Sequence, residues 1–486
     1  MKKYEFPQGF LWGGASADSQ YEGGFNEGGR GLASTDFVTD GSHTKARQVT
    51  YILDDGTIGS CDFKSSMPVG AKGYLNPEMY YPAHYSVDFY HHYKEDIRLF
   101  SEMGFNIYRF SICWTRIFPT GLEDEPNEEG LKFYEDVVDE LLKYNIEPLI
   151  TICHDQVPAY LADHYDGWSS RITIESYLKL CKALYERLGS KVKYWLTFNE
   201  LNVCKGYGQL GVHDTSPQFH YQAMHHVFVA SSYAVKMAHE MIPGSMIGNM
   251  YASSALYPLT CQPDDMLAMQ RVRRLTYYYS DIMLKGFYPP YAKKMLEELG
   301  VTIKMEEGDE EILRQYPLDF FAFSYYRSST VNKDSKLSPI GLCMDANPYL
   351  KATPWGWALD PKGIRYVLNE FYDRYDKPVM VVENGLGEID VFENDTVDDQ
   401  YRIDYLKEHF INMHDAIYKD GVDLIGYTMW APVDLVSMST GEMKKRYGFV
   451  YVDMDDKGFG TKKRYKKKSF DWVAKVYKSN GAYIEE

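Results

Sequence analysis

Eight short apolar segments, separated by text with helical periodicity, constrain the fold of this chain more than any other feature. They are Phe10–Ser16, Asn106–Ile112, Glu147–Cys153, Tyr194–Glu200, Ser245–Tyr251, Asp319–Tyr326, Pro378–Gly385 and Leu424–Trp430. Short runs rich in Val, Ile, Tyr, Phe and Trp read as strands. Between them apolar residues recur at helical spacing, as do Phe89, Tyr93, Ile97 and Phe100 within Asp88–Met103, where Gly104 ends the pattern. Helices are likewise expected over Glu128–Tyr144, Thr173–Leu188, Gln222–Met241, Ile364–Tyr375 and Asp404–Lys419, with a last one around Phe470–Lys478. Helix-separated strands make parallel sheets, and eight of them close into a barrel. The predicted fold class is therefore α/β: a single (β/α)8 TIM barrel with long loop insertions, one domain over residues 1–486. The polar, Gly-rich text from about Asp36 to Pro82 has no clear periodicity and predicts a long loop rather than a second domain.

Charge and composition narrow the partners. A net charge of −17 argues against nucleic acid or an anionic membrane surface, and any anionic ligand needs a local basic site. The 43 Tyr and 8 Trp mostly fill the core, yet amphipathic rings also suit a pocket for a sugar. Seven Cys, odd in number and without a CxxC pair, fit reduced thiols in the cytoplasm better than a disulfide framework. The start, MKKYEFPQGF, is interrupted by Glu5, Pro7 and Gln8 where a signal peptide needs an apolar run, and no run of about 18 apolar residues suggests a membrane span. A cytoplasmic protein is expected, and a homo-oligomer is compatible with the sequence. No metal or other cofactor is expected: neither His91–His92 nor His225–His226 has the i,i+4 spacing of a helical metal site.

Two of the strand-like segments end on carboxylates, Glu200 in the fourth and Glu383 in the seventh. In a barrel closed in sequence order these ends face one another across the C-terminal mouth, where barrel active sites sit. A facing pair of carboxylates is the minimum apparatus for hydrolysing a glycosidic bond. One must hold a proton for the leaving oxygen, its pKa raised by burial or by the other's charge. The other must be ionised, and Arg109, set in the apolar second strand, is the cation to keep it so. A purely structural carboxylate pair is the alternative; the strand-end position favours catalysis.

At this point the chain resembles glycoside hydrolase family 1. The resemblance runs nearly end to end, through FLWGGASADSQYEGG, RFSICWTRIFPTG, TFNE, FSYY, ENG and YTMW in the family's order. It implies that Glu200 is the acid/base and Glu383 the nucleophile of a retaining double displacement, with Asn199 holding the sugar's 2-hydroxyl. It also implies that Gln20, His154 and Trp430 bind the sugar ring and that Tyr326, rather than its neighbour Tyr325, hydrogen-bonds the nucleophile. Strand parity alone says only that one of these tyrosines faces the interior.

The stretch after the eighth strand, Asp434–Asp453, bears on the substrate. Family members that cleave unphosphorylated glucosides usually carry a glutamate at the position of Ser437, which would repel a phosphate. Here Ser437, Ser439, Lys445 and Tyr447 offer hydroxyls and a cation for a phosphate on the sugar's C6. The segment resembles that of the family's 6-phospho-β-glucosidases, implying a small-molecule 6-phosphoglycoside substrate such as an aryl glucoside phosphate or phosphorylated cellobiose. The alternatives are an unphosphorylated β-glucosidase, a 6-phospho-β-galactosidase, and a non-catalytic sugar-phosphate binding protein. The Ser437–Tyr447 segment speaks against the first, Met438 in place of a Trp against the second, and the presence of both glutamates against the third. HDQVP, His154–Pro158, departs from the family pattern, with Asp155 for an aromatic and Gln156 for an acid, and is expected to alter the pocket or the salt bridges beneath it. Trp355 and Trp357 are candidates to stack on the leaving group.

Overall fold

The computed structural model describes residues 4–337 and 345–485; residues 338–344, within the expected Asn332–Trp357 loop, lie outside the described residues, as do the first three. Eight strands form one closed ring: β1 (Leu11–Ala15), β2 (Ile107–Ser111), β3 (Glu147–Cys153), β4 (Tyr194–Phe198), β5 (Met246–Pro258), β6 (Phe320–Val331), β7 (Val379–Glu383) and β8 (Leu424–Trp430). Each pairs in parallel with its neighbours in sequence order, and β1 closes against β8. The eightfold alternation predicted an all-parallel barrel, and the ring is that barrel.

Around it run α1 (Phe89–Glu102), α2 (Glu128–Lys143), α3 (Ile172–Leu188), α4 (Pro217–Met241), α5 (Pro263–Lys285), α6 (Pro361–Tyr375), α7 (Gln400–Tyr418) and α8 (Lys468–Lys478). Their starts show local capping chemistry. Asn127 accepts from the Glu129 amide at 3.3 Å ahead of α2, and Asp360 accepts from the Gly363 amide at 3.0 Å ahead of α6.

Strand parity builds two cores. Ile107, Leu149, Leu196, Met250, Phe320, Ala322, Met380 and Val382 plug the inside of the ring. Their neighbours Tyr108, Trp195, Phe321, Phe323 and Val381 point outward into the larger core under the helices. A filled interior leaves room for chemistry only above the plug, at the C-terminal ends of the strands.

Two expectations change. The Asp36–Pro82 stretch is not an unstructured loop: Gln48–Ile52 pairs antiparallel with Ile58–Asp62 and Lys72–Gly73. Much of this small sheet is exposed, so its strands lack the apolar runs that betray a barrel strand. Strands β5 and β6 also run past Tyr251 and Tyr326, pairing out to Pro258 with Val331. The polar Ser253, Ser254, Arg327 and Ser328 interrupt the apolar pattern there, and each extension finds its backbone partner in the other. No helix among the described residues is long and apolar enough to cross a membrane, and the six cysteines among them are free thiols.

Candidate active site

Six strand ends deliver side chains to the mouth. Three residues just past them adopt left-handed backbone: Asp155 after β3 (φ 59°), Glu200 after β4 (φ 39°) and Ala431 after β8 (φ 58°). Such a conformation costs a residue with a Cβ about 1–3 kcal/mol and persists where the surroundings enforce it.

Arg109, on β2 and fully buried, organises the centre. Its Nη1 donates to Glu383 Oε1 at 2.6 Å, its Nη2 to Asn199 Oδ1 at 2.7 Å and its Nε to Thr151 Oγ1 at 3.0 Å. Because the Asn199 oxygen is held by Arg109, its NH2 group is turned away from the arginine and toward the Asp155 carboxylate, whose charged form it favours. The other oxygen of Glu383, Oε2, accepts from the Tyr326 hydroxyl at 2.9 Å. Tyr325 faces outward, donating to the Asp360 carbonyl at 2.8 Å. The glycine at 363 makes this orientation fit, since a Cβ there would sit 1.9 Å from the Tyr325 hydroxyl. Glu200 accepts from Ser324 Oγ at 2.6 Å. Ser324 lies two residues before Tyr326, on the same face of β6, so one strand contacts both glutamates.

The two carboxyls differ in what surrounds them. Glu200 is pushed up to about 8, chiefly by burial and then by the charge of Glu383, with only Ser324 and the more distant Lys64 opposing. Glu383 is also raised by burial, but Arg109 pulls it back, by charge and hydrogen bond, and Tyr326 adds a second donor. Of the two, the ionised form is therefore more favoured at Glu383 and the protonated form at Glu200.

The HDQVP segment bears on this balance. Asp155 is buried, accepting from Cys204 Sγ at 3.0 Å and Gln209 Nε2 at 3.2 Å, and its charge raises both Glu200 and Glu383. Gln156 accepts from Thr35 Oγ1 at 2.9 Å and donates to Asp18, whose own carboxyl burial and Glu22 push up to about 7. An amide at 156 thus supplies a donor where a further carboxylate would crowd an acidic cluster. Removing the charge at 155 favours the ionised form of Glu200, so Asp155→Asn is expected to shift the Glu200 titration downward from about 8. Carbon-13 NMR of labelled glutamates reads this directly, and an unmoved titration would contradict the coupling.

The other expected sugar contacts gather at the same mouth. His154 is buried and kept neutral, first by burial and then by Arg109, and its Nδ1 has no partner among the described residues. Its ring stacks 6.2 Å from that of Trp430. Gln20 donates to the Val436 carbonyl at 2.6 Å, tying the segment after β8 to the chain that leaves β1.

In that segment Ser437 Oγ and Ser439 Oγ lie 3.3 Å apart. Lys445 is 1% exposed and forms no ion pair among the described residues. Its Nζ lies 3.8 Å from the centroid of Trp357, 5.2 Å from Trp355 and 5.6 Å from Tyr447. Burial, together with the charge of Arg327, lowers its pKa to about 7. Trp355 and Trp357 thus pack on this ammonium. The Tyr447 ring lies 6.4 Å from that of Tyr326, joining this region to Glu383.

Three contributors went unassigned in the sequence. Ser324 was legible in principle, from its two-residue offset to Tyr326. Arg47 had no signal: it reaches from the small antiparallel sheet to grip the Met438 carbonyl at 2.9 Å, fixing the loop between the two serines. Arg327, beside Lys445, lies in the interrupted part of β6.

An eight-stranded parallel barrel with paired carboxylates of unlike environment at the ends of β4 and β7 has the build of a glycoside hydrolase. The model for glycosyl hydrolase family 1 matches residues 2–57 and 76–482, and the chain belongs to that family. The unmatched stretch holds two strands of the small antiparallel sheet. Over 98% of both chains it is 48% identical to the aryl-phospho-beta-D-glucosidase BglH of Bacillus subtilis (strain 168). Over 99% of both it is 43% identical to the 6-phospho-beta-glucosidase AscB of Escherichia coli (strain K12). The family 1 β-glucosidase from Thermotoga maritima superposes with a TM-score of 0.80 at 29% identity, covering 98% of each chain.

Proposed function

We propose that the protein hydrolyses 6-phospho-β-D-glucosides with retention of configuration, Glu383 acting as nucleophile and Glu200 as acid/base within one barrel domain. Glu383, held ionised by Arg109, attacks the anomeric carbon while Glu200 gives its proton to the departing oxygen. The C–O bond to the leaving group breaks as the glycosyl–Glu383 ester forms. Water then attacks the same carbon as the ester bond breaks and frees the Glu383 carboxylate, Glu200 takes the water's proton, and glucose 6-phosphate leaves with its β configuration kept. A carboxyl separation of about 5–5.5 Å suits this route, since no water stands between nucleophile and sugar. The Asn199 amide donates to the 2-hydroxyl and orients it, so that the hydroxyl's own O–H, made more acidic as positive charge develops at the anomeric centre, can donate more strongly to a neighbouring acceptor. Gln20, His154 and Trp430 hold the ring.

The observation that carries the substrate class is Lys445: a buried ammonium on aromatic faces, without an ion pair among the described residues. Such a group is costly unless an anion joins it. A phosphate dianion on C6, accepting from Lys445, Ser437, Ser439 and Tyr447, meets that need. The two relatives named for phosphoglucosides agree with this reading. It puts the enzyme in the cytoplasm, where its free thiols stay reduced.

The test compares kcat/KM for p-nitrophenyl β-D-glucoside with that for its 6-phosphate. The wild type is expected to prefer the phosphate, and Lys445→Ala to lose on the order of 100-fold on that substrate alone. Equal wild-type rates on the two substrates would leave a plain β-glucosidase.

A further inference from the structure

On the flank of the barrel, sharing no residue with the strand-end site, a half-open cavity of about 320 Å3 lies between α5 and α6. Arg273, Arg274 and Gln270 of α5, Tyr291, and Glu370 and Arg374 of α6 line it. The volume suits a small ligand.

The acidic groups here are already well supplied with donors. Glu370 accepts from Arg273 Nε at 2.7 Å and from the Tyr277 hydroxyl. Asp281, behind the cavity, accepts from Arg374 Nε at 2.8 Å and Nη2 at 2.5 Å, from Tyr291 at 2.8 Å and Tyr375 at 3.0 Å, and pairs with Lys285 at 3.2 Å. Three cations thus pair with two carboxylates, and Arg274 adds a fourth to the same cavity. Arg274 forms no ion pair among the described residues, its guanidinium lying 5.5 Å from the Tyr291 ring centroid. Arg374, stacked 3.8 Å over Tyr277, turns only Nε and Nη2 to Asp281. The cavity therefore offers surplus N–H donors and positive charge on a chain whose net charge is −17. Planar guanidinium forks of this kind match the paired oxygens of a phosphate.

We propose that this cavity is a second anion site of the protein, taking a compact phosphate monoester such as a hexose phosphate. Its geometry is independent of the proposed reaction, which enters only through the background chosen for the test. Lys445→Ala removes the cation assigned to the substrate's phosphate, so binding that remains reports the flank.

The experiment is isothermal titration at low ionic strength with inorganic phosphate and with glucose 6-phosphate. In Lys445→Ala one saturable site is expected, tighter for glucose 6-phosphate. Adding Arg274→Ala should weaken it at least ~10-fold, and adding Arg274→Glu should abolish it. Arg274 is exposed and its guanidinium packs over the Tyr291 ring, so both double variants should keep the parent Tm. No saturable binding in Lys445→Ala, or binding that neither Arg274 variant alters, overturns the site. Tighter binding of inorganic phosphate than of the ester overturns the ligand class. A failure of Lys445→Ala to change substrate preference, by contrast, strikes at the proposed function.

Discussion

Glu383→Ala is expected to lower kcat on p-nitrophenyl β-D-glucoside 6-phosphate by on the order of 10⁴-fold or more, because it removes the group proposed to form the covalent intermediate. The side chain is one partner of a buried ion pair, so its loss also strands the Arg109 guanidinium and should cost about 3–5 kcal/mol of stability. Glu383→Gln keeps the shape and an acceptor for Arg109. It should therefore be as inactive but less destabilised, which separates chemistry from folding. Added azide, small enough to enter the space left in the alanine variant, should restore turnover and give a glycosyl azide of inverted configuration, seen by proton NMR. Wild-type rates in both variants would remove Glu383 from the reaction. Restored turnover with a β product would assign the attack to another group.

Glu200→Ala should give a loss that depends on the leaving group. Phosphorylated cellobiose, whose departing sugar oxygen needs a proton, is expected to slow by up to about 10⁴-fold, the usual reach of general acid catalysis. A nitrophenyl glucoside phosphate, whose anion leaves unaided, should lose far less in glycosyl transfer. The pH profile supplies a second reading. In the wild type, kcat/KM should fall as pH rises through about 8, where Glu200 gives up its proton, and this alkaline limb should vanish in the variant. On the acid side, activity should fall as Glu383 takes up a proton, at a pH above the ordinary carboxylate range. Equal losses on both substrates, with the alkaline limb unmoved, would assign the proton to a different residue.

The legible and the illegible parts of the site differ in how local their signals are. β4 and β7 announced themselves because bulky β-formers stop abruptly on Glu200 and Glu383, and that interruption sits within a few residues of sequence. Lys445 was a weaker signal, since the Lys444–Arg446 triplet that contains it is of a kind that usually forms a solvated charge run, and its place after a barrel strand is what spoke for a phosphate site. The Gln48–Asp62 hairpin was hidden because a largely exposed sheet needs no apolar alternation, and with it went Arg47.

The sequence by itself determined the class of fold, the order of the strands and the two strands that end on glutamates, because backbone propensity and hydrophobic period act over short stretches of chain. Only the tertiary structure decided which glutamate holds the proton. That choice depends on Arg109 and Tyr326 converging on Glu383 while Ser324 and Asp155 flank Glu200, side chains from β2, β6 and the end of β3 whose fields add only once the barrel has closed. The same closure turned Tyr326 inward and Tyr325 outward, and set the Lys445 ammonium on Trp357 rather than in water.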